Sequence, residues 1–360
     1  MHIYSETDRK EGDCLSGLKS RTDRRLRLAG KTKSEKKEMT DNLYLYAVAR
    51  IRSKELSLLS KSDIEQLMGC KTEKEALRLL LDKGWGKEGT ETAEDILAAE
   101  REKTWELLRD MVEDMSVFNV FLCGNDFHNL KAAIKQAYKG TELPNIYYSD
   151  CTVDPEVIKK AINEQDFSLL PEHMREVAQE AYEVQLHTGD SQLCDVIIDK
   201  AALETIYAEG KASNNELLQQ YVELKVAQAD INIATRSVKT GKDREFLSRA
   251  LARCESLDIE KLIDSASNGM EAIYEYLSGT VYSDAVPALK ESFQAFERWC
   301  DNRIIDYIRP QKYNPFTLSP IVAYLLAREN EIKTVRILLS GKRNEIADRV
   351  IRERLRDMYV

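Results

Sequence analysis

The chain has 360 residues, 62 of them acidic and 53 basic, for a net charge of −9. That length holds two or three compact domains or one elongated array, and the acidic balance argues against a general nucleic-acid binder, which carries excess Lys and Arg. No apolar run reaches the roughly 18–20 residues that span a bilayer, and seven dispersed cysteines without paired spacing read as reduced thiols, mostly small buried side chains.

Residues 1–38 carry Arg21, Arg24, Arg25, Arg27, Lys31, Lys33, Lys36 and Lys37, few large apolar residues and no helical stripe. They lack the apolar core of a secretory signal and are expected to form a basic, disordered leader, or to precede a native start at Met39. Gly30-Lys31-Thr32 matches the tail of a phosphate-binding loop, but Arg25 stands where the motif needs its first glycine, so no nucleotide site is assigned there. From Asp41 the texture turns helical. Leu43, Ala47, Arg50 and Ile51 recur at spacings of three and four, and Glu75 to Leu81, Ile96 to Met115 and Leu217 to Val226 repeat that periodicity. Helix starts are expected at Ser62-Asp63, at Asp154-Pro155-Glu156 and at Ser319-Pro320. Only 15 glycines and 7 prolines punctuate the chain, and no run alternates as paired strands do. The fold class is all-α.

The chain also repeats itself. Asp63-Ile64-Glu65-Gln66-Leu67 returns as Asp258-Ile259-Glu260-Lys261-Leu262, and Glu75-Ala76-Leu77 as Glu271-Ala272-Ile273. Three apolar segments then end in a polar cluster and a glycine: VFNVFLCGNDFHNLKAAIKQAYKG closing at Gly140, YVELKVAQADINIATRSVKTG at Gly241, and SPIVAYLLARENEIKTVRILLSGK with Gly341 near its end. Glycine suits a left-handed C-terminal cap, and its recurrence about every 100 residues fits a small-domain period. The expected organisation is a leader over 1–38 and three helical repeat domains over 39–142, 143–250 and 251–360.

Asp126, Asn129, Leu130 and Lys131 are matched to Asp230, Asn232, Ile233 and Ala234, and then to Glu329, Glu331, Ile332 and Lys333. Glu329 and Lys333 are spaced i, i+4 in the stabilising order, Arg336 follows three residues on, and Arg328 interrupts the apolar stripe. An edge repeated three times suggests a shared surface. Asp126, Asn129, Asp230, Asn232, Glu329, Lys333 and Arg336 are therefore the candidate partner-contact residues. The closing Arg349, Arg352 and Arg356, opposite Ile351, Leu355 and Met358, suggest an amphipathic helix with a solvated basic face, or a patch for an acidic partner or lipid headgroups.

No catalytic, cofactor or metal site is assigned. The four histidines (His2, His128, His173, His187) lack ligand spacing, and no HExxH, GxSxG or glycine-rich nucleotide fingerprint is present. Glu142, Asp150 and Asp154 around Tyr147 and Tyr148 read as an interdomain linker, with an acid–base pair as the enzymatic alternative. From the residues alone, a free-standing helical scaffold and an all-α enzyme with acidic catalytic groups both stay open.

Three stretches, DNLYLYAVARIRSKELSLLSKSDIEQL, ADINIATRSVKTGKDREFL and PIVAYLLARENEIKTVRILLSGK with IRERLR and the final Tyr359-Val360, resemble the C subunits of bacterial and archaeal V/A-type rotary ATPases, which are related to the d subunit of the eukaryotic V-ATPase. The resemblance runs from about Met39 to the end. It implies three similar helical domains in a threefold, funnel-like arrangement, joining a rotor shaft made by the D and F subunits to the membrane ring of proteolipid subunits. It further implies a non-catalytic, peripheral component at the cytoplasmic face of the membrane, without cofactors and without nucleic-acid partners, serving ATP synthesis or hydrolysis coupled to proton or sodium transport.

Overall fold

The computed structural model describes residues 44–87, 89–140 and 145–360. The leader, Met39, His2, Cys14 and Glu142 lie outside the described residues. Sixteen α-helices and no strand occur among those described, so the chain is all-α.

Helix α1 (Leu45–Glu55) is followed by α2 (Lys61–Gly69), α3 (Glu73–Asp82) and α4 (Ala93–Met111). The start of α2 falls before the expected Ser62-Asp63. Ser60 caps it, and Asp63 at the third helical position returns the hydrogen bond at 2.7 Å, a reciprocal capping box that Thr92 and Asp95 repeat on α4. A long helix, α5 (Asn119–Lys139), leads to α6 (Pro155–Glu164), α7 (Glu172–Thr188) and α8 (Ser191–Ala212). Asp154 caps α6 with Pro155 in the first turn, as expected. A second long helix, α9 (Glu216–Thr240), precedes α10 (Arg244–Ala250), α11 (Ile259–Asn268), α12 (Met270–Ser278), α13 (Val286–Glu291) and α14 (Phe293–Ile308). The third, α15 (Ser319–Arg343), is followed by the single turn α16 (Asp348–Arg352).

Helices α5, α9 and α15, which carry the recurrent pattern, have 21, 25 and 25 residues, or roughly 32–38 Å at about 1.5 Å per residue. Each serves two cores. Their N-terminal parts meet in a central hub that includes Val120 of α5, Leu217, Leu218 and Val222 of α9, and Ile321 through Ala327 of α15. Helix α1, Leu108 of α4 and Ile305 and Ile308 of α14 complete it. Their C-terminal parts then diverge. Phe127, Leu130 and Ile134 of α5 pack with α6, α7 and α8. Leu224, Ile231 and Ala234 of α9 pack with α10 to α14. Ile332, Val335 and Leu339 of α15 pack with α2, α3 and α4, from the other end of the chain. So α5 and α9 feed the helices that follow them, while α15 reaches back to those that began the chain.

This double duty accounts for the membrane-like opening of α15. Residues Ser319 to Arg328 are buried on every side because helices surround them. Among the described residues no helix is long and apolar enough to cross a membrane.

Two of the three glycine caps form as expected, Gly140 and Gly241 ending α5 and α9 in the left-handed conformation at φ 62° and 65°. Gly341 does not: α15 runs through it to Arg343. A Cβ there would meet Ile351 side-chain carbons at 2.6 Å, so this glycine is required by the close approach of α16. The expected amphipathic closing helix also stops early, at Arg352. Beyond it the tail straps across the hub: Asp357 N–H donates to Asn302 Oδ1 at 2.9 Å, and Tyr359 Oη–H to Glu55 Oε1 at 3.1 Å. Arg356 turns inward to Asp301 at 2.8 Å, leaving no continuous basic face.

Overpacking a filled contact costs about 1–3 kcal/mol. Gly341→Ala is expected to lower unfolding stability by that amount in urea titration, and the loss should shrink in the Gly341→Ala/Ile351→Val pair relative to Ile351→Val alone. Equal losses in both backgrounds would contradict the close-approach assignment.

Candidate partner-contact site

The expected shared edge divides into groups that face inward and groups that face a central cavity. Asp126 and Asn129 on α5 and Asp230 on α9 have no exposed surface, so the monomer offers none of the three as a surface contact. Each instead fastens a loop. Asp126 Oδ1 accepts the backbone N–H groups of Thr152 and Val153 at 2.8 and 3.0 Å, and its Oδ2 accepts the Thr152 hydroxyl. Asn129 clasps one residue twice, donating to the Tyr148 carbonyl at 3.0 Å and accepting the Tyr148 N–H at 2.8 Å. Asp230 Oδ1 accepts the Ala252 N–H at 3.0 Å, while its Oδ2 is buried with no partner among the described residues. Asn232 is half-buried on α9 and does not line the cavity.

The third equivalent is Glu331, two residues from the expected Glu329. It is buried on α15 and accepts the Leu59 N–H. Asp126, Asp230 and Glu331 each immediately precede a buried apolar residue (Phe127, Ile231, Ile332), and each holds the segment that leads into the capped helix α6, α11 or α2. The acid–apolar pair, rather than the acid alone, was the signal that sets the register. Burial raises all three carboxyls above the usual range, Asp230 to about 8 and Glu331 to about 7, while their hydrogen bonds oppose the rise. Arg328 explains its place inside the apolar stripe: its guanidinium bridges Glu100 and Glu331 and lies 5.1 Å from the Trp85 ring centroid.

Glu329, Lys333 and Arg336 do come together, on the wall of a cavity of about 560 Å³. It opens between α4, α5, α9, α14, α15 and the segment carrying Tyr148 to Asp150. Arg101 of α4 grips Glu329 with two nitrogens at 3.2 and 3.0 Å. Lys333 pairs with Asp301 of α14 at 2.6 Å, and Arg336 reaches Glu94 at 3.4 Å. Phe121, Tyr221, Leu325 and Leu326 supply apolar wall between these charges. Arg101, Lys225 and Asp301 were missed by sequence reasoning because they lie on three helices far apart in the chain, with no local spacing to link them.

The alternative acidic cluster does not form an acid–base pair among the described residues. Asp154 caps α6, accepting the Glu156 N–H at 2.9 Å, and Asp150 sits 3.8 Å from Arg109. His128 Nε2 lies 3.1 Å from the Ile146 carbonyl, while His173 and His187 are exposed. Cys123, Cys194 and Cys300 are buried, and Cys70, Cys151 and Cys254 are half-buried.

A sequence profile of the ATP synthase (C/AC39) subunit family matches residues 47–354. The chain belongs to that family. Among its relatives, the C subunit of the V-type sodium ATPase of Enterococcus hirae is 25% identical over 318 residues, covering 86% of this chain and 97% of the relative. The C subunit of the A-type ATP synthase of Methanosarcina acetivorans is 23% identical, covering 90% and 95%, and that of Methanocaldococcus jannaschii 22%, covering 87% and 86%. Membership of the C/AC39 family makes the chain a component of a V/A-type ATP synthase and itself non-catalytic.

A carboxyl raised in the folded state contributes stability fully below its unfolded value, near 4, and loses it as pH rises through the folded value. For Asp230 that window runs from about 4 to about 8. Asp230→Asn keeps an acceptor for the Ala252 N–H and removes the ionisation. Its stability relative to the unsubstituted chain should increase between pH 6 and pH 9 in urea unfolding; a difference independent of pH would contradict the assignment. Asp230→Ala should cost about 1–3 kcal/mol at pH 6, through the abandoned N–H.

Proposed function

We propose that this chain is the central-stalk coupler of its rotary ATPase, with the cavity receiving the base of a shaft made by the D and F subunits, and the molecule seated on the proteolipid ring at the cytoplasmic face of the membrane. The single observation that carries the reading is that the cavity forms where α5, α9 and α15 leave the hub and diverge. Three helical units grouped around that opening, α5 to α8, α9 to α14, and α2 to α4 with the end of α15, make a funnel-like socket in this reading. The units share the hub, so a load on one wall is passed to the others through packed helices rather than through linkers.

A coupler must resist slipping under torque without exposing an apolar socket before assembly. The cavity wall suits this: charged side chains held by neighbours alternate with apolar patches, and the polar atoms can exchange water for a partner's groups. Association with D and F on one side and the ring on the other then transmits rotation between ATP synthesis or hydrolysis and proton or sodium transport.

The test is separate binding to the two partners. The double variant Glu329→Arg/Lys333→Glu should lower affinity for a purified D–F pair at least tenfold, measured by interferometry, while ring-containing membranes retain the variant. D–F affinity equal to that of the unsubstituted chain would exclude the cavity as the socket.

A further inference from the structure

The cavity wall carries four cationic side chains, Arg101, Lys225, Lys333 and Arg336, against three anionic ones, Asp150, Asp301 and Glu329. This local excess runs against the net charge of −9 for the whole chain. Six of the seven have a partner within the chain: Arg101 with Glu329, Lys333 with Asp301, Arg336 with Glu94 and Asp150 with Arg109. Asp301 is matched twice, since Arg356 also reaches it. Lys225 alone has neither an ion pair nor a hydrogen bond among the described residues.

Its position on α9 fixes where this unmatched charge stands. Val222, Leu224, Val226 and Ala227 around it are buried and fix the helix, so Lys225 projects from a rigid wall into the cavity rather than from a loose surface. Asp301, the carboxylate whose charge acts on Lys225, is already held by Lys333 and Arg356, and Lys333 adds like-charge repulsion. Crowding by the concave wall, and secondly Lys333, lower the Lys225 pKa below the ordinary lysine value, although the side chain stays open to solvent. Lys225 is exposed within the cavity, so an incoming anion can reach its ammonium directly and meets no carboxylate already paired with it.

We infer that Lys225 is the recognition cation of the cavity and that the protein partner seated there presents a side-chain carboxylate to it. The inference rests on the socket reading above and adds to it the chemistry at one point of contact. The partner's acidic group completes the one unmatched position, so the pair forms only when the partner has entered far enough to bring its carboxylate to α9. Correct depth of insertion is thereby coupled to ion pairing, and a shaft lacking that acid docks weakly in the same cavity.

The experiment compares Lys225→Glu, Lys225→Gln and Lys225→Arg for binding to the D–F pair by interferometry at several salt concentrations, each variant first checked by thermal melting. Lys225→Glu is expected to weaken binding about tenfold or more, Lys225→Gln less, and Lys225→Arg little, with Lys225→Gln showing a shallower salt dependence than the unsubstituted chain. Acetylation with acetic anhydride, read by mass spectrometry, should modify Lys225 in the free chain and spare it in the D–F complex. Unchanged affinity of Lys225→Glu, or equal acetylation in both states, overturns the inference. If Glu329→Arg/Lys333→Glu still loses D–F binding in that case, the socket stands and only the role of Lys225 falls. If that variant also binds normally, both fall.

Discussion

Three buried carboxyl groups, one each on α5, α9 and α15, hold the architecture in register. Asp126, Asp230 and Glu331 sit where a helix leaves the hub for its peripheral core, and each accepts a backbone N–H from the segment entering that core. An unpartnered N–H buried at these points would cost about 1–3 kcal/mol. The carboxylates remove that cost while fixing where the next capped helix begins. Because the hub and the peripheral cores share the same helices, these contacts lie at the junctions between them.

The cavity follows from that divergence. Helices packed together in the hub and drawn apart by separate cores leave space between them, and its wall is made of whatever side chains the inner faces present. The inward carboxylates are spent on the loops, so the cavity keeps the remaining charges, Glu329, Lys333, Arg336 and their neighbours. The Arg328 bridge between Glu100 and Glu331 ties α15 to α4 directly behind that wall. Side chains held in place behind the wall lose less entropy on any association than those of a flexible groove would.

Much of this was legible in the chain itself. Helical periodicity, the caps at Asp154, Gly140 and Gly241, and the recurrence of a polar cluster inside an apolar helix all correspond to observed structure. Glu329, Lys333 and Arg336 were legible as one edge because helix spacing puts them on one side of α15. Asp126, Asn129 and Asp230 were misread as surface because a polar residue in an apolar helix looks the same whether it meets water or a loop N–H. Gly341 looked like a cap for a similar reason: glycine serves both a left-handed turn and a close approach, and only the position of Ile351 tells them apart.

By itself the sequence determined what depends on near neighbours along the chain: the helical class, the helix start at Asp154-Pro155, the stops at Gly140 and Gly241, and the threefold recurrence of one helix pattern. Tertiary structure decided which polar residue faces which way, and that α15 completes its core with α2 to α4 rather than with the helices before it. It also decided that Arg101, Lys225 and Asp301 share a wall with Glu329 and Lys333. Spacings of three and four residues report the face of a helix, because the helix repeats every 3.6 residues. What that face meets is set by segments from 22 residues away, as for Asp230 and Ala252, to 272, as for Glu331 and Leu59, and no local period encodes them.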